Sequence, residues 1–98
     1  MATRELISIT RLCSLYEIEV SFISQLKELG LIELTTIEEV PFVHQDYIND
    51  VERMIRLYRD LEVNPEGIDV IFNLLHKVDR LHHELNTLKN RLRLYEGE

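Results

Sequence analysis

From Ile71 to Tyr95 the apolar residues recur at alternating steps of three and four: Ile71, Leu74, Val78, Leu81, Leu85, Leu88, Leu92 and Tyr95. That spacing lines all of them along one stripe of a helix and matches a heptad with apolar a and d positions. The run is introduced by Asn64-Pro65-Glu66. Asn accepts the unpaired N–H groups of a first turn, Pro fits where no N–H is needed, and Glu meets the positive end of the helix dipole. One helix is therefore predicted from Pro65 almost to the end of the chain, stopped by Gly97. A helix of about 30 residues is about 45 Å long. The rest of a 98-residue chain is too small to cover such a rod. The seam beyond Leu81 must then pack on something else, most simply the same helix of a second copy, with Leu81, Leu85, Leu88, Leu92 and Tyr95 as the candidate dimer seam. In a parallel pair, Glu84 would meet Lys89 and Arg91 would meet Glu96, both attractive, while Lys77 would face His82. An antiparallel pair is also compatible with these charges. The alternative is a helix that folds back on its own core.

The preceding residues read as shorter elements. Ile7 is apolar and can open a short strand. Ser8 is placed to cap a helix beginning at Ile9, whose stripe is Ile9, Leu12, Cys13 and Tyr16. A turn is predicted near Glu17-Ile18. A second helix, over residues 20–29, buries Phe22 or Ile23, Leu26 and Leu29, and Gly30 sits where a left-handed residue ends a helix. Two short helices with a tight turn between them make a helix-turn-helix. Residues 31–45 are β-branched and apolar, with Pro41 as a breaker, and predict a small two-stranded wing. Asp46 is placed to cap a third helix, with Ile48, Val51, Met54, Ile55, Tyr58 and Leu61 inward. Glu52→Arg56 and Arg56→Asp60 are i, i+4 opposite-charge pairs on its outer side. Gly67 near a helix start costs stability, and close packing against the third helix would explain it. The predicted fold is mainly α: a winged helix-turn-helix domain over residues 1–63 with a small β-wing, then a long C-terminal coiled-coil helix over residues 64–98.

Charge narrows the function. Between Glu17 and Glu52 lie nine acidic residues (Glu17, Glu19, Glu28, Glu33, Glu38, Glu39, Asp46, Asp50, Glu52) and one Lys, Lys27. The whole chain carries −7. Binding to nucleic acid draws most of its non-specific affinity from Lys and Arg on phosphates. This stretch would repel phosphates and attract a basic partner. Glu33, Glu38, Glu39 and Asp46 are the candidate partner-binding acidic patch. A DNA-binding alternative would rest on Arg4, Arg11, Arg53, Arg56 and Arg59, with Glu52 and Asp60 flanking the last three.

No catalytic constellation is evident, and neither a metal nor a cofactor is expected. His76, Asp79 and His83 share a helix face, but it is the outer one. His82, His83 and Glu84 are adjacent on a helix and point in different directions. Cys13 falls on an apolar stripe as a small core residue and is the only cysteine. No segment approaches the ~18 apolar residues that span a bilayer, and no signal-type core follows the N-terminus. A cytoplasmic, non-enzymatic protein is the expectation.

The order of these elements resembles the MerR family of regulators. In that family the second helix carries an Arg-Tyr-Tyr-Glu type sequence facing DNA; here the place reads Ser24-Gln25-Leu26-Lys27. The family's wing carries a Gly-Tyr-Arg element; here the residues are Glu38-Glu39-Val40-Pro41-Phe42. The cysteines of the metal-responsive members are missing as well. The stretch Leu57-Tyr58-Arg59-Asp60-Leu61-Glu62-Val63-Asn64-Pro65-Glu66-Gly67-Ile68 and the heptads after it are similar to the chaperone-modulator branch, the CbpM family. That resemblance implies a small, non-enzymatic protein that binds the J-domain of a CbpA/DnaJ-type co-chaperone and blocks its stimulation of a DnaK-type chaperone. The alternative it leaves is a MerR-type DNA-binding transcriptional regulator.

Overall fold

The computed structural model describes residues 5–96. Gly97 as a helix stop and Arg4 as a phosphate contact fall outside them. The elements run β1 (Leu6–Ser8), α1 (Ile9–Tyr16), α2 (Val20–Glu28), β2 (Thr35–Ile37), β3 (Val40–His44), a 3-10 turn (Gln45–Tyr47), α3 (Ile48–Asp60) and α4 (Pro65–Glu96). The fold is mainly α, a MerR-like helix-turn-helix with a small wing and a long C-terminal helix.

Local chemistry sets most of the helix ends. The Ser8 hydroxyl accepts from the Arg11 N–H at 3.2 Å and starts α1. Glu17 takes the left-handed conformation (φ 56°) and the Ile18 N–H returns to the Cys13 carbonyl, turning the chain into α2. At the end of α2, Gly30 is left-handed (φ 79°). Its N–H bonds the Lys27 carbonyl while the Leu31 N–H bonds the Leu26 carbonyl, a Schellman closure. The Asn64 side chain accepts from the Gly67 N–H at 2.8 Å, and Pro65 is the first residue of α4.

The wing is larger than two strands. β1 joins it, giving an antiparallel sheet of order β1-β3-β2 with Ile7 opposite Val43 and Thr36 opposite Pro41. β1 reaches only to Phe42, so Pro41, which has no N–H, faces a partner on one side alone. The β2–β3 hairpin turns on Glu38 and Glu39, both at positive φ (51° and 67°). A two-residue turn needs that geometry, and glycine or asparagine normally supplies it.

One core unites these pieces. Leu12 from α1, Phe22, Ile23 and Leu26 from α2, Val43 from β3, Val51 and Met54 from α3 and Ile68 from α4 are all essentially inaccessible. Phe22 and Ile23 both face inward, whereas Leu29 is half-buried.

Several expectations are corrected. Asp46 does not cap α3: the 3-10 turn intervenes, and the His44 ring accepts the Asp46 N–H at 3.0 Å. A β-strand residue thus starts the helical segment, which no local capping rule anticipates. Leu61 is 67% exposed, because α3 ends one residue earlier and the chain swings away to α4. Neither Glu52–Arg56 nor Arg56–Asp60 forms an ion pair within 4.0 Å; Glu52 is instead taken by Tyr16 from α1. A Cβ on Gly67 would lie 2.8 Å from Val63 Cγ1 and 3.1 Å from Asn64 Oδ1. The crowding there comes from the incoming chain and the cap, not from α3.

Candidate protein-binding surface

The outer face of α2 carries Val20, Ser21, Ser24, Gln25, Lys27 and Glu28, all exposed. A helix-turn-helix offers this second helix to the major groove. Lys27 is its one cation.

The four acidic candidates fall in two places. Glu38 and Glu39 form the hairpin tip of the wing, fully in solvent. Glu33 and Asp46 line a shallow pocket of about 330 Å³ with Leu34, Thr35, His44 and Tyr47. At that pocket His44 lies between Asp46 (3.4 Å) and Glu5 (3.2 Å). Its Nδ1 accepts the Asp46 N–H, and its Nε2 faces the Glu5 carboxylate. Among the described residues, no Lys or Arg pairs with the two glutamates of the hairpin tip.

The seam residues Leu81, Leu85, Leu88, Leu92 and Tyr95 lie along one side of α4, all between 49% and 91% exposed. Val78 and Leu74 continue that stripe toward the domain. The core instead takes Pro65, Ile68 and Phe72, a different face of the same helix. The first turns of α4 are therefore part of the domain core, and the rest projects from it.

Three contacts, which pattern reading did not find, tie α3 to the turn between α1 and α2. The Tyr16 hydroxyl donates to the Glu52 carboxylate, and the Arg59 guanidinium donates to the Tyr16 carbonyl at the end of α1. The Tyr58 hydroxyl reaches Glu19 at 3.4 Å. The hydrogen bond to Glu52, with burial and the carboxylate charge behind it, raises the Tyr16 pKa. The Glu19 charge, then burial, raises that of Tyr58. Burial, then Glu19, pushes the Cys13 thiol up, as befits an unreactive core residue. These partners are 36 to 43 residues apart, so no local spacing signals them.

Arg59 is thus occupied as a helix cap. Arg53 and Arg56 instead border an open groove of about 440 Å³ between α3 and α4, floored by Leu57, Leu61, Ile71, Phe72 and Leu75. None of these three arginines belongs to α2 or the wing. Among the described residues, no three or more His, Cys, Asp or Glu gather where they could hold a metal, and no helix is long and apolar enough to cross a membrane.

The family model described as MerR HTH family regulatory protein matches residues 7–90. The chain belongs to that MerR family. The match runs from β1 through most of α4, so it covers the helix-turn-helix, the wing and the long helix together. Comparison with curated proteins yields no match. Against the MerR pattern, the departures lie where the fold offers itself to DNA: a serine and glutamine on α2 and two glutamates at the wing tip.

Proposed function

We propose that this MerR-family protein is a non-enzymatic modulator that binds the J-domain of a CbpA/DnaJ-type co-chaperone. By occupying that domain it inhibits stimulation of a DnaK-type chaperone. The observation that carries the reading is the charge of the surface a MerR scaffold turns toward DNA. Its wing tip is Glu38-Glu39 and its second helix holds a single lysine. That surface repels phosphate and complements a basic protein face. J-domains present a basic helix to their chaperone, and the CbpM-like stretch from Leu57 to Ile68 points to that partner class. The protein acts in the cytoplasm as a homodimer through the α4 seam, with no cofactor.

Calorimetric titration with a CbpA-type J-domain at two salt concentrations tests this. Micromolar or tighter binding that weakens with salt is expected. Absence of binding at high micromolar concentration would sink it.

A second reading, a DNA-binding regulator, is favoured by one observation: no carboxylate of the described residues lies within 4.0 Å of Arg53 or Arg56. Gel-shift binding that falls steeply with salt would support it.

A further inference from the structure

The groove between α3 and α4 has the opposite chemistry to the wing. Leu57 of α3, Leu61 just past its end, and Phe72 and Leu75 of α4 form an apolar floor, with Arg53 and Arg56 bordering it. Leu61 is 67% exposed and Leu75 38% exposed. Exposed leucines that adjoin one another are costly to leave in water. The arginines are the second feature. Glu52, the nearest acid in sequence to Arg53, is held by Tyr16, and no carboxylate of the described residues lies within 4.0 Å of Arg53 or Arg56. Asp60 also borders the groove, leaving the rim at one net positive charge.

We propose that this groove is a docking site for an acidic amphipathic helix of a protein partner. Apolar anchors would fill the floor, and carboxylates flanking them would meet Arg53 and Arg56. A helix fits better than a small ligand, because the groove is open to solvent rather than enclosed. Small-molecule sites enclose most of their ligand. The walls are themselves two helices, so a third can lay its ridge between them, with anchors at i, i+3 or i+4 spacing. From Arg53 to Asp60 the α3 wall rises about 10 Å, room for about two turns of a docked helix. The chain carries −7 overall, so long-range attraction does not bring this partner in. The apolar anchors supply the affinity, and the arginines select acidic over basic sequences.

The test uses the full chain and two fluorescein-labelled peptides of about four helical turns. Both carry leucines at i, i+3 and i+7; one has glutamates flanking them and the other lysines. The glutamate peptide should bind about tenfold more tightly by anisotropy, the effect of two exposed ion pairs. Arg53→Glu with Arg56→Glu should reverse the order, and Arg53→Gln with Arg56→Gln should equalise it. Urea midpoints near wild type would confirm that both variants are folded. Equal affinity for the two peptides in the wild type, or no binding of either, would overturn the proposal. So would a loss of self-association in the Arg53→Glu, Arg56→Glu protein by sedimentation, since a second copy of the chain would then be the occupant. None of these outcomes depends on J-domain binding.

Discussion

Tyr58 of α3 stacks on Phe22 of α2, ring centroids 4.0 Å apart and planes 16° from parallel. Phe22 is 1% exposed, so the stack seals the core from the side where the helix-turn-helix meets α3. Phe22→Ala should cost about 4 kcal/mol, as removal of a buried aromatic does. Tyr58→Phe keeps the ring and loses only a long, exposed hydrogen bond, so its urea midpoint should stay near wild type. Denaturation of both variants, with unchanged m-values, checks the contrast.

The hydrogen bond from Tyr16 to Glu52 predicts a fold that weakens in alkali. Tyr16 has its pKa raised above the ordinary 10.0 by the hydrogen bond to Glu52. A group whose folded pKa is raised contributes stability that is complete below the unfolded pKa. That contribution is lost as pH rises through the folded value. Stability should therefore fall above about pH 10. Urea midpoints at pH 8 and pH 11 should differ less in Tyr16→Phe than in wild type. An equal loss in both proteins would remove Tyr16 as a cause.

Gly67 should behave against the usual rule for helices. Replacing Gly by Ala inside a helix normally stabilises by up to about 1 kcal/mol. Here the new Cβ would stand 2.8 Å from Val63 Cγ1 and press on the Asn64 cap. Gly67→Ala is expected to destabilise by about 1 kcal/mol, similar to loss of the cap in Asn64→Ala. Adding Val63→Ala should recover part of that cost, a coupling that a double-mutant cycle measures.

The wing tip offers a separation of folding from binding. Glu38 and Glu39 occupy positive-φ positions that suit Asn and Gly far better. Glu38→Asn with Glu39→Gly should stabilise the chain by about 1 kcal/mol. If the tip meets a basic J-domain face, the same change should weaken that binding severalfold. A more stable protein with unchanged J-domain affinity would move the contact away from the tip.

The seam of α4 predicts self-association. Leu85→Glu with Leu88→Glu would bury charge in any pairing of this helix. Sedimentation should find the wild type as a dimer and this variant as a monomer with intact helicity. A monomeric wild type at high micromolar concentration would remove the second copy as the partner of the seam.

Much of the architecture was legible because neighbours three or four residues apart decide it. Ser8 before the Ile9 stripe, Gly30 after α2 and Asn64-Pro65 before α4 each act through bonds within one turn. A small wing was legible in the β-branched, apolar residues 31–45 with Pro41 as a breaker, but its turn at Glu38-Glu39 was not, because glutamates give no turn signal. The acidic candidates could be named from charge alone, but not their division between the wing tip and the His44 pocket. Asp46 does not cap α3 because it lies inside a 3-10 turn that His44, two residues upstream on β3, opens by accepting the Asp46 N–H.

The sequence by itself determined the starts of α1 and α4, the 3-4 periodicity of α4 and the excess of acid, since each depends on residue type and short spacing. The tertiary structure decided which face of α4 each segment uses. Ile68 and Phe72 enter the core while the stripe from Leu74 onward stays outside, because the domain covers only the first turns of a 32-residue helix. It also decided that β1 joins the wing, that Tyr16, Tyr58 and Arg59 bind α3 to the helix-turn-helix, and that Arg53 and Arg56 rim a groove. Those contacts join residues far apart in the chain, and only packing of the whole core brings them within reach.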